Sequence, residues 1–485
     1  MMTGIDTMSL LCISPLLAMV LLIFMLMAFD MVSRKRGARA GMWLASAGMA
    51  LIALVTLLFA PQLTSADPLW GGLLRIDMTA LALIVLISTG AAVTLAFASA
   101  EPRLANHGEF PILLVSSALG LSLMASAFDL ISLYIAMELA GIPLYVLAGF
   151  LIREKTSTEA GLKYFLYGAM SSAVMLYGFS LLYGLSGSTS FPQIAAALAS
   201  GQSTILLVVA SLLAVVGFAY KIAAVPFHFW APDVYEGAPS EVSGFLATVS
   251  KAAGFVVLLR FTVIILPALG VSAQVAVSIL AVASMVLGNI LAMQQKNAKR
   301  LLAYSSIAHA GYLLVGVAAV TAESATAVFY YLTGYLFTNL AAFALVAIAS
   351  HQTGSEDITS FSGLSRRSPG LALMFLVAFL SLAGIPPFAG FAGKLFVFYS
   401  AARAGLNWLV VVGVLNSVLA LFYYLNVVKV IYARPEPEGT AATSAPMAPG
   451  LKISLAVCVT AILYFGIFFL PWYDILARAG LMLWN

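Results

Sequence analysis

Glu138, Lys163, Lys221, Lys251, Arg260, Lys394 and Lys429 all stand inside runs of otherwise apolar residues. A carboxylate or an amine in such a setting can hold a proton and hand it on. Desolvation and an approaching opposite charge shift proton affinity in opposing senses, so changing the separation of a Glu–Lys pair switches it. Each such charge costs several kcal/mol at the centre of a bilayer, which points to a hydrated or paired interior and to an ion or proton route. Arg260 and Lys429 lie nearer the ends of their runs, where a long side chain reaching toward the interface is the competing explanation.

Glu138 lies in ISLYIAMELAGIPLYVLAGF, and Lys163 and Lys221, on the next two apolar runs, are its candidate partners. It reads either as a coupling carboxylate or as half of a permanent structural ion pair. Lys221 lies in GFAYKIAAVPFHFWAPDVYEGAP, where Pro226 interrupts the helix and leaves backbone dipoles free to face a polar cavity. His228 follows closely and is either a second proton carrier or a single structural histidine. The same arrangement recurs in SLAGIPPFAGFAGKLFVFYS, with Pro386 and Pro387 ahead of Lys394. Both interrupted stretches contain GFA-x-K, Gly217 to Lys221 and Gly390 to Lys394, suggesting related sites in two halves of the chain. Lys251 is placed to connect those halves, and Lys429 to mark an exit. Tyr304, Ser305, Ser306, His309 and Tyr312 could orient water or an ammonium between them, or could simply pack neighbouring helices.

The elements that must position these groups follow from composition. The chain has 485 residues, 62% hydrophobic and only 9% charged, against about 25% charged in soluble domains. Successive apolar runs predict membrane spans at 8–29, 40–60, 77–98, 110–128, 130–150, 160–184, 204–230, 241–266, 271–293, 300–320, 325–350, 370–399, 406–433 and 453–472. The fold class is therefore all-alpha and polytopic, with about 14 transmembrane helices and discontinuous helices 7 and 12. The interrupted spans fall at matching places if spans 4–8 and 9–13 form two inverted five-helix repeats. That division gives an N-terminal region 1–109, a first repeat 110–266, a second repeat 267–433, and a linker with the last helix at 434–485.

Arg34, Lys35, Arg36, Arg39, Arg103, Arg153, Lys155, Lys296, Lys299, Arg300, Arg366, Arg367, Arg434 and Lys452 fall on one side of these spans. Only Arg75, Arg403 and Arg478 fall on the other. The bias puts the basic side in the cytoplasm and both termini on the periplasmic side of an inner membrane. The connections 61–76 and 186–203 read as exterior loops, and the proline-rich 434–451 as a flexible cytoplasmic link. None is large enough for a catalytic head. Cys12 and Cys458 sit in apolar runs and offer neither a disulfide framework nor metal-ligand spacing. A net charge of +4 without a basic block gives no reason to expect a nucleic-acid partner.

MELAGIPLYVLAGF around Glu138, GLKYFLYGAMSSAVMLYG around Lys163, KIAAVPFHFWAPDVYEGAP after Lys221 and LAGIPPFAGFAGKLFVF around Lys394 together resemble the antiporter-like membrane subunits of respiratory complex I. The resemblance extends over nearly the whole chain; the lack of a long lateral helix after the fourteenth expected span argues against the L branch, and the compact ends and GLKYF segment favour the subunit-N branch over the M branch. It implies that Glu138, Lys221, Lys251 and Lys394 are the main charged elements of a proton-translocating module. It further implies assembly beside a small subunit K and an antiporter-like subunit M among membrane lipids. NAD(H), FMN, iron–sulfur clusters and quinone would be handled by the rest of the complex, with no cofactor on this chain. A stand-alone cation/proton antiporter, a small-molecule transporter and a structural scaffold remain the alternatives at this level.

Overall fold

A long apolar run satisfies its backbone within a lipid core by coiling into a helix. The computed structural model describes residues 7–33, 37–65, 67–199, 204–264, 269, 271–434 and 447–483. Arg34, Lys35 and Arg36, and the stretch of the expected linker holding Pro435, Pro437 and Pro446, lie outside the described residues.

Twelve helices among the described residues are long and apolar enough to cross a membrane, and no strand is present there. They begin with α1 (Ser14–Ser33), α2 (Ala38–Leu63), α3 (Met78–Ala98), α4 (Glu109–Ser126), α5 (Leu130–Ala148) and α6 (Lys155–Ser186). The seventh expected span is split into α7a (Thr204–Lys221) and α7b (Trp230–Gly237). Next comes α8, which is Ser240–Phe245, a π-turn Leu246–Ser250, and then Lys251–Ile264. It is followed by α9 (Val271–Ala292), α10 (Ala298–Ala319) and α11 (Ala322–Thr353). The twelfth expected span is also split, into α12a (Pro369–Ala383) and α12b (Ala389–Arg403). The described chain closes with α13 (Asn407–Ala433), α14 (Pro449–Ile467) and α15 (Phe469–Met482).

Two connections depart from expectation. The stretch 186–203 holds a short helix, Phe191–Ala199, whose Phe191, Ile194 and Leu198 are buried on one side. The last span is shorter than 453–472 because Phe468 leaves helical geometry (φ −102°, ψ 56°), and α15 continues as a separate element.

Burial sorts the helices. The apolar windows of α8 and α10 are wholly buried and that of α11 nearly so, whereas those of α1, α6, α13 and α14 are mostly exposed. The wholly buried pair carries Lys251 on α8 and Ser305, Ser306 and His309 on α10, so these polar groups lie at the centre of the bundle. Caps fix the entries: Asp77 accepts from the Ala80 amide (2.8 Å), Asp129 from Ile131 and Ser132, and Asn297 from Arg300. Close helix approach depends on small residues. A Cβ on Gly120 of α4 would stand 2.4 Å from the Ala140 backbone nitrogen of α5.

Candidate functional site

The centre of the site is helix α10, which carries Ser305, Ser306, His309 and Tyr312, all buried. Positions three and four apart on a helix share a face, so these groups form a polar strip within an apolar core. Lys251 meets the strip at one end. It follows directly on the π-turn of α8, a distortion frequent at functional sites, and its ammonium donates to Ser306 Oγ (2.5 Å) and the Ser306 carbonyl (2.7 Å).

One turn along α10, His309 is held from both sides. Its Nδ1 contacts the Tyr331 hydroxyl of α11 (2.7 Å), and its Nε2 the Tyr424 hydroxyl of α13 (3.1 Å). Tyr424 is in turn bonded to Ser305. His309 thus stands on α10 between Ser306, which holds Lys251, and Tyr312, which faces Lys394. One turn further, Tyr312 lies under the Lys394 ammonium, 4.8 Å from ring centroid to nitrogen. The Tyr312 hydroxyl accepts from Asn289 of α9 (3.1 Å), which also donates to Asn416 of α13.

Lys394 explains the break in the twelfth span. Splitting a helix leaves the carbonyls of its last turn without donors and concentrates negative potential there. Lys394, from α12b, donates to Leu382 O (3.2 Å) and Ala383 O (3.1 Å) at the end of α12a. One ammonium therefore closes the carbonyl end of the preceding half-helix. The other half-helix contributes the Gly390 amide, which donates to Ser381 Oγ (3.1 Å).

The break in the seventh span is stitched differently. Trp230 Nε1 donates to Tyr220 O (3.1 Å), the Val225 amide donates to Ser284 Oγ of α9 (3.0 Å), and the Trp230 ring stacks on Tyr164 of α6. Lys221 is buried at the end of α7a, its stem against Gly254 on α8, one turn from Lys251. His228 is buried in the break, and its Nδ1 has no partner among the described residues.

Several expectations are corrected. The shared GFA-x-K segments are not equivalent in space: Lys221 ends the helix before its break, and Lys394 lies inside the helix after its break. Lys163 is not a buried charge and does not pair with Glu138. It is about one-third exposed and bonded at 2.6 Å to both Asp233 and Glu159. Arg300 completes that rim cluster at 2.8 Å from Asp233 and from Glu236. The long α6 carries Lys163 near its start, away from the level of Glu138, which instead accepts from Ser172 on the same helix. Lys429 is exposed and lines an open cavity with Met293, Leu301 and Tyr423. Arg260 does not reach for the interface. It is buried, with its guanidinium 2.5 Å from Asp77, the residue that caps α3.

Glu138 is half-buried. Its helix face is otherwise apolar and exposed, with Ile131, Ile135, Leu139 and Ile142 around it. Tyr331, Tyr424, Asn289 and Asp77 were missed by the sequence reading. Asn289 could have been found as an amide within an apolar run, and Asp77 as an acid just ahead of one. The two tyrosines carry no local signal. Among the described residues no cluster of histidine, cysteine or acidic side chains could hold a metal ion.

Residues 127–420 match the family described as NADH:quinone oxidoreductase/Mrp antiporter, TM. An NADH-quinone oxidoreductase subunit N of Moorella thermoacetica is 45% identical over 368 residues, 76% of each chain. One from Anaeromyxobacter sp. is 38% identical over 487 residues, 94% of each chain. Among solved structures, a chain of respiratory complex I from Thermus thermophilus superposes with a TM-score of 0.79 at 34% identity, covering 96% of this chain and 99% of that one. A chain of the Mrp complex from Dietzia sp. gives 0.86 at 21% identity, covering 99% and 98%, a likeness of fold.

Proposed function

The chain belongs to the NADH:quinone oxidoreductase/Mrp antiporter transmembrane family, and on that premise we propose that it fills the subunit N position of a proton-pumping NADH:quinone oxidoreductase. The observation that carries this reading is the set of three lysines, Lys221, Lys251 and Lys394, buried in the membrane core without an ion pair among the described residues. An apolar scaffold would pack the same helices at lower cost. Lys251 and Lys394, whose amines are held by a hydroxyl, backbone carbonyls and a ring face, suit groups that gain and lose a proton.

Quinone reduction elsewhere in the complex perturbs Glu138. The change in its field alters proton affinity at Lys221, with His228 in the break as an adjoining carrier. Lys251 takes up the perturbation and passes it along Ser306, His309 and the flanking tyrosines to Lys394. Broken-helix dipoles and polar side chains lower the cost of moving charge through the interior. Lys163 has a place in this scheme only as a rim tether, and Lys429 has none.

Fourteen crossings follow when each split span is counted as one, with inverted repeats at 110–266 and 267–433 between the regions 1–109 and 434–485. The basic bias supports both termini on the periplasmic side of a bacterial inner membrane. A carboxylate on an exposed apolar helix face is expensive in lipid, so Glu138 supports a neighbouring subunit over α5 and α6. We assign the small subunit K and subunit M as the neighbours of this chain. NADH, FMN, iron–sulfur and quinone chemistry then belongs to other subunits.

Gentle purification from native membranes tests the assignment. Recovery with flavin and iron–sulfur subunits and NADH:quinone activity is expected. Recovery alone, with cation-dependent proton exchange in proteoliposomes, would make it an independent antiporter.

A further inference from the structure

Outside the polar strip, a continuous apolar groove runs along the outer side of α3. That helix has 21 residues, about 30 Å at about 1.5 Å per residue, which matches the hydrocarbon thickness of a bilayer. Helix α2 forms one wall, and α14 and α15 form the other. A cavity of about 620 Å³ occupies one half, between Leu57, Leu81, Leu336, Phe337 and Trp472. A second of about 350 Å³ continues toward Ala92, Ala96 and Ile453. Leu57, Val85 and Thr89 line both.

Two polar groups beside the groove are already used internally. Ser46 donates to Ala92 O (2.8 Å) and Ser454 to Val93 O (3.1 Å). Thr333 is likewise bonded internally, to Phe329 O (2.9 Å), and the walls are otherwise mainly apolar, which suits hydrocarbon. The mouth of the larger cavity is different, because Asp474 and Arg478 line it and are exposed. Four residues apart on α15, they lie on one face about 5–6 Å from each other. A cation and an anion at that spacing complement a headgroup that carries a phosphate and an ammonium. α15, with 14 residues, is too short to cross the bilayer and suits an interfacial position.

We propose that this groove is a binding site for a zwitterionic phospholipid of the phosphatidylethanolamine class. Its acyl chains lie along α3 between Leu57 and Val85, with its phosphate on Arg478 and its ammonium on Asp474.

The test uses the assembled complex in native membranes. A phosphatidylethanolamine carrying a photoactivatable diazirine on one acyl chain is added, irradiated, and located by peptide mapping. Labelling should concentrate on the α2 and α3 peptides around Leu57 and Val85. The combined Asp474→Gln and Arg478→Gln change should lower it about two- to fivefold, as expected for exposed charge contacts. Val85→Trp, which fills the groove, should abolish it. If that variant does not assemble, the exposed double change decides alone. Labelling spread evenly over outward faces such as those of Phe24 and Phe422 would overturn the proposal, since it denotes ordinary boundary lipid. Protection of the groove by a cross-linked neighbouring subunit, or preferential labelling by a polyprenyl-quinone probe, would overturn it as well.

Discussion

Lys251 and Lys429 are the same residue type on long membrane helices, and their surroundings separate them. Lys251 is buried and held by Ser306, whereas Lys429 is exposed. Lys429→Ala should therefore leave proton translocation by the assembled complex within about twofold of wild type, as for most surface changes. His309→Phe keeps the ring but loses both tyrosine contacts. Losing one relay position worth about 1.4 kcal/mol predicts roughly tenfold slower translocation, measured as the initial rate of proton uptake into vesicles. The buried Asp77–Arg260 pair calls for a different outcome. Arg260→Ala leaves the buried Asp77 carboxylate with only the more distant Arg75, 3.9 Å away, and should destabilise the chain by about 3 kcal/mol, read as lower thermal stability and less assembled complex. Arg260→Met, which pairs with Asp77→Leu to remove both charges, should recover much of that loss.

Residue identity alone made Lys221, Lys251 and Lys394 legible in the sequence, because an amine within an apolar run is expensive wherever the run folds. What that reasoning could not supply was depth. Lys163 and Lys429 look the same in sequence, but a helix as long as α6 carries its first turns past the apolar layer into a rim of Asp233, Glu159 and Arg300. Tyr331 and Tyr424 stayed hidden for the complementary reason. Tyrosine is ordinary in apolar helices, and only the approach of α11 and α13 to α10 brings both hydroxyls to His309.

At the level of elements, proline signalled both interruptions, and the structure splits the chain at both places. The pentapeptide match was a poorer guide, since the lysines fall on opposite sides of their breaks. Position relative to the free carbonyls matters more than local spelling, and Lys394 closes those carbonyls while Lys221 turns toward α8. The twelfth-span break also depends on the near contact between its two halves. A Cβ on Gly390 would stand closer than a van der Waals contact to the Ser381 carbonyl. Gly390→Ala should push α12b away from α12a at a cost of about 1–3 kcal/mol. The expected result is reduced assembly in native gels, with impaired pumping in whatever complex remains. Normal assembly with normal pumping would mean the two half-helices have no fixed relation.

At the scale of the whole molecule, the two wholly buried helices α8 and α10 hold Lys251 and the polar strip, the placement expected for a protein that carries charge through lipid. Glu138 is the exception, half-buried on an apolar face. That exception is where a perturbation from a neighbouring subunit could enter, and the polar strip on α10 is where it would travel. The central claim is that proton movement runs through this strip while redox chemistry happens elsewhere. The most direct measurement is the number of protons moved per electron by the assembled complex in liposomes, comparing wild type with Lys251→Met, which keeps the volume and removes the amine. The account predicts normal assembly and a clear fall in protons per electron. An unchanged ratio in fully assembled, active complex would contradict it.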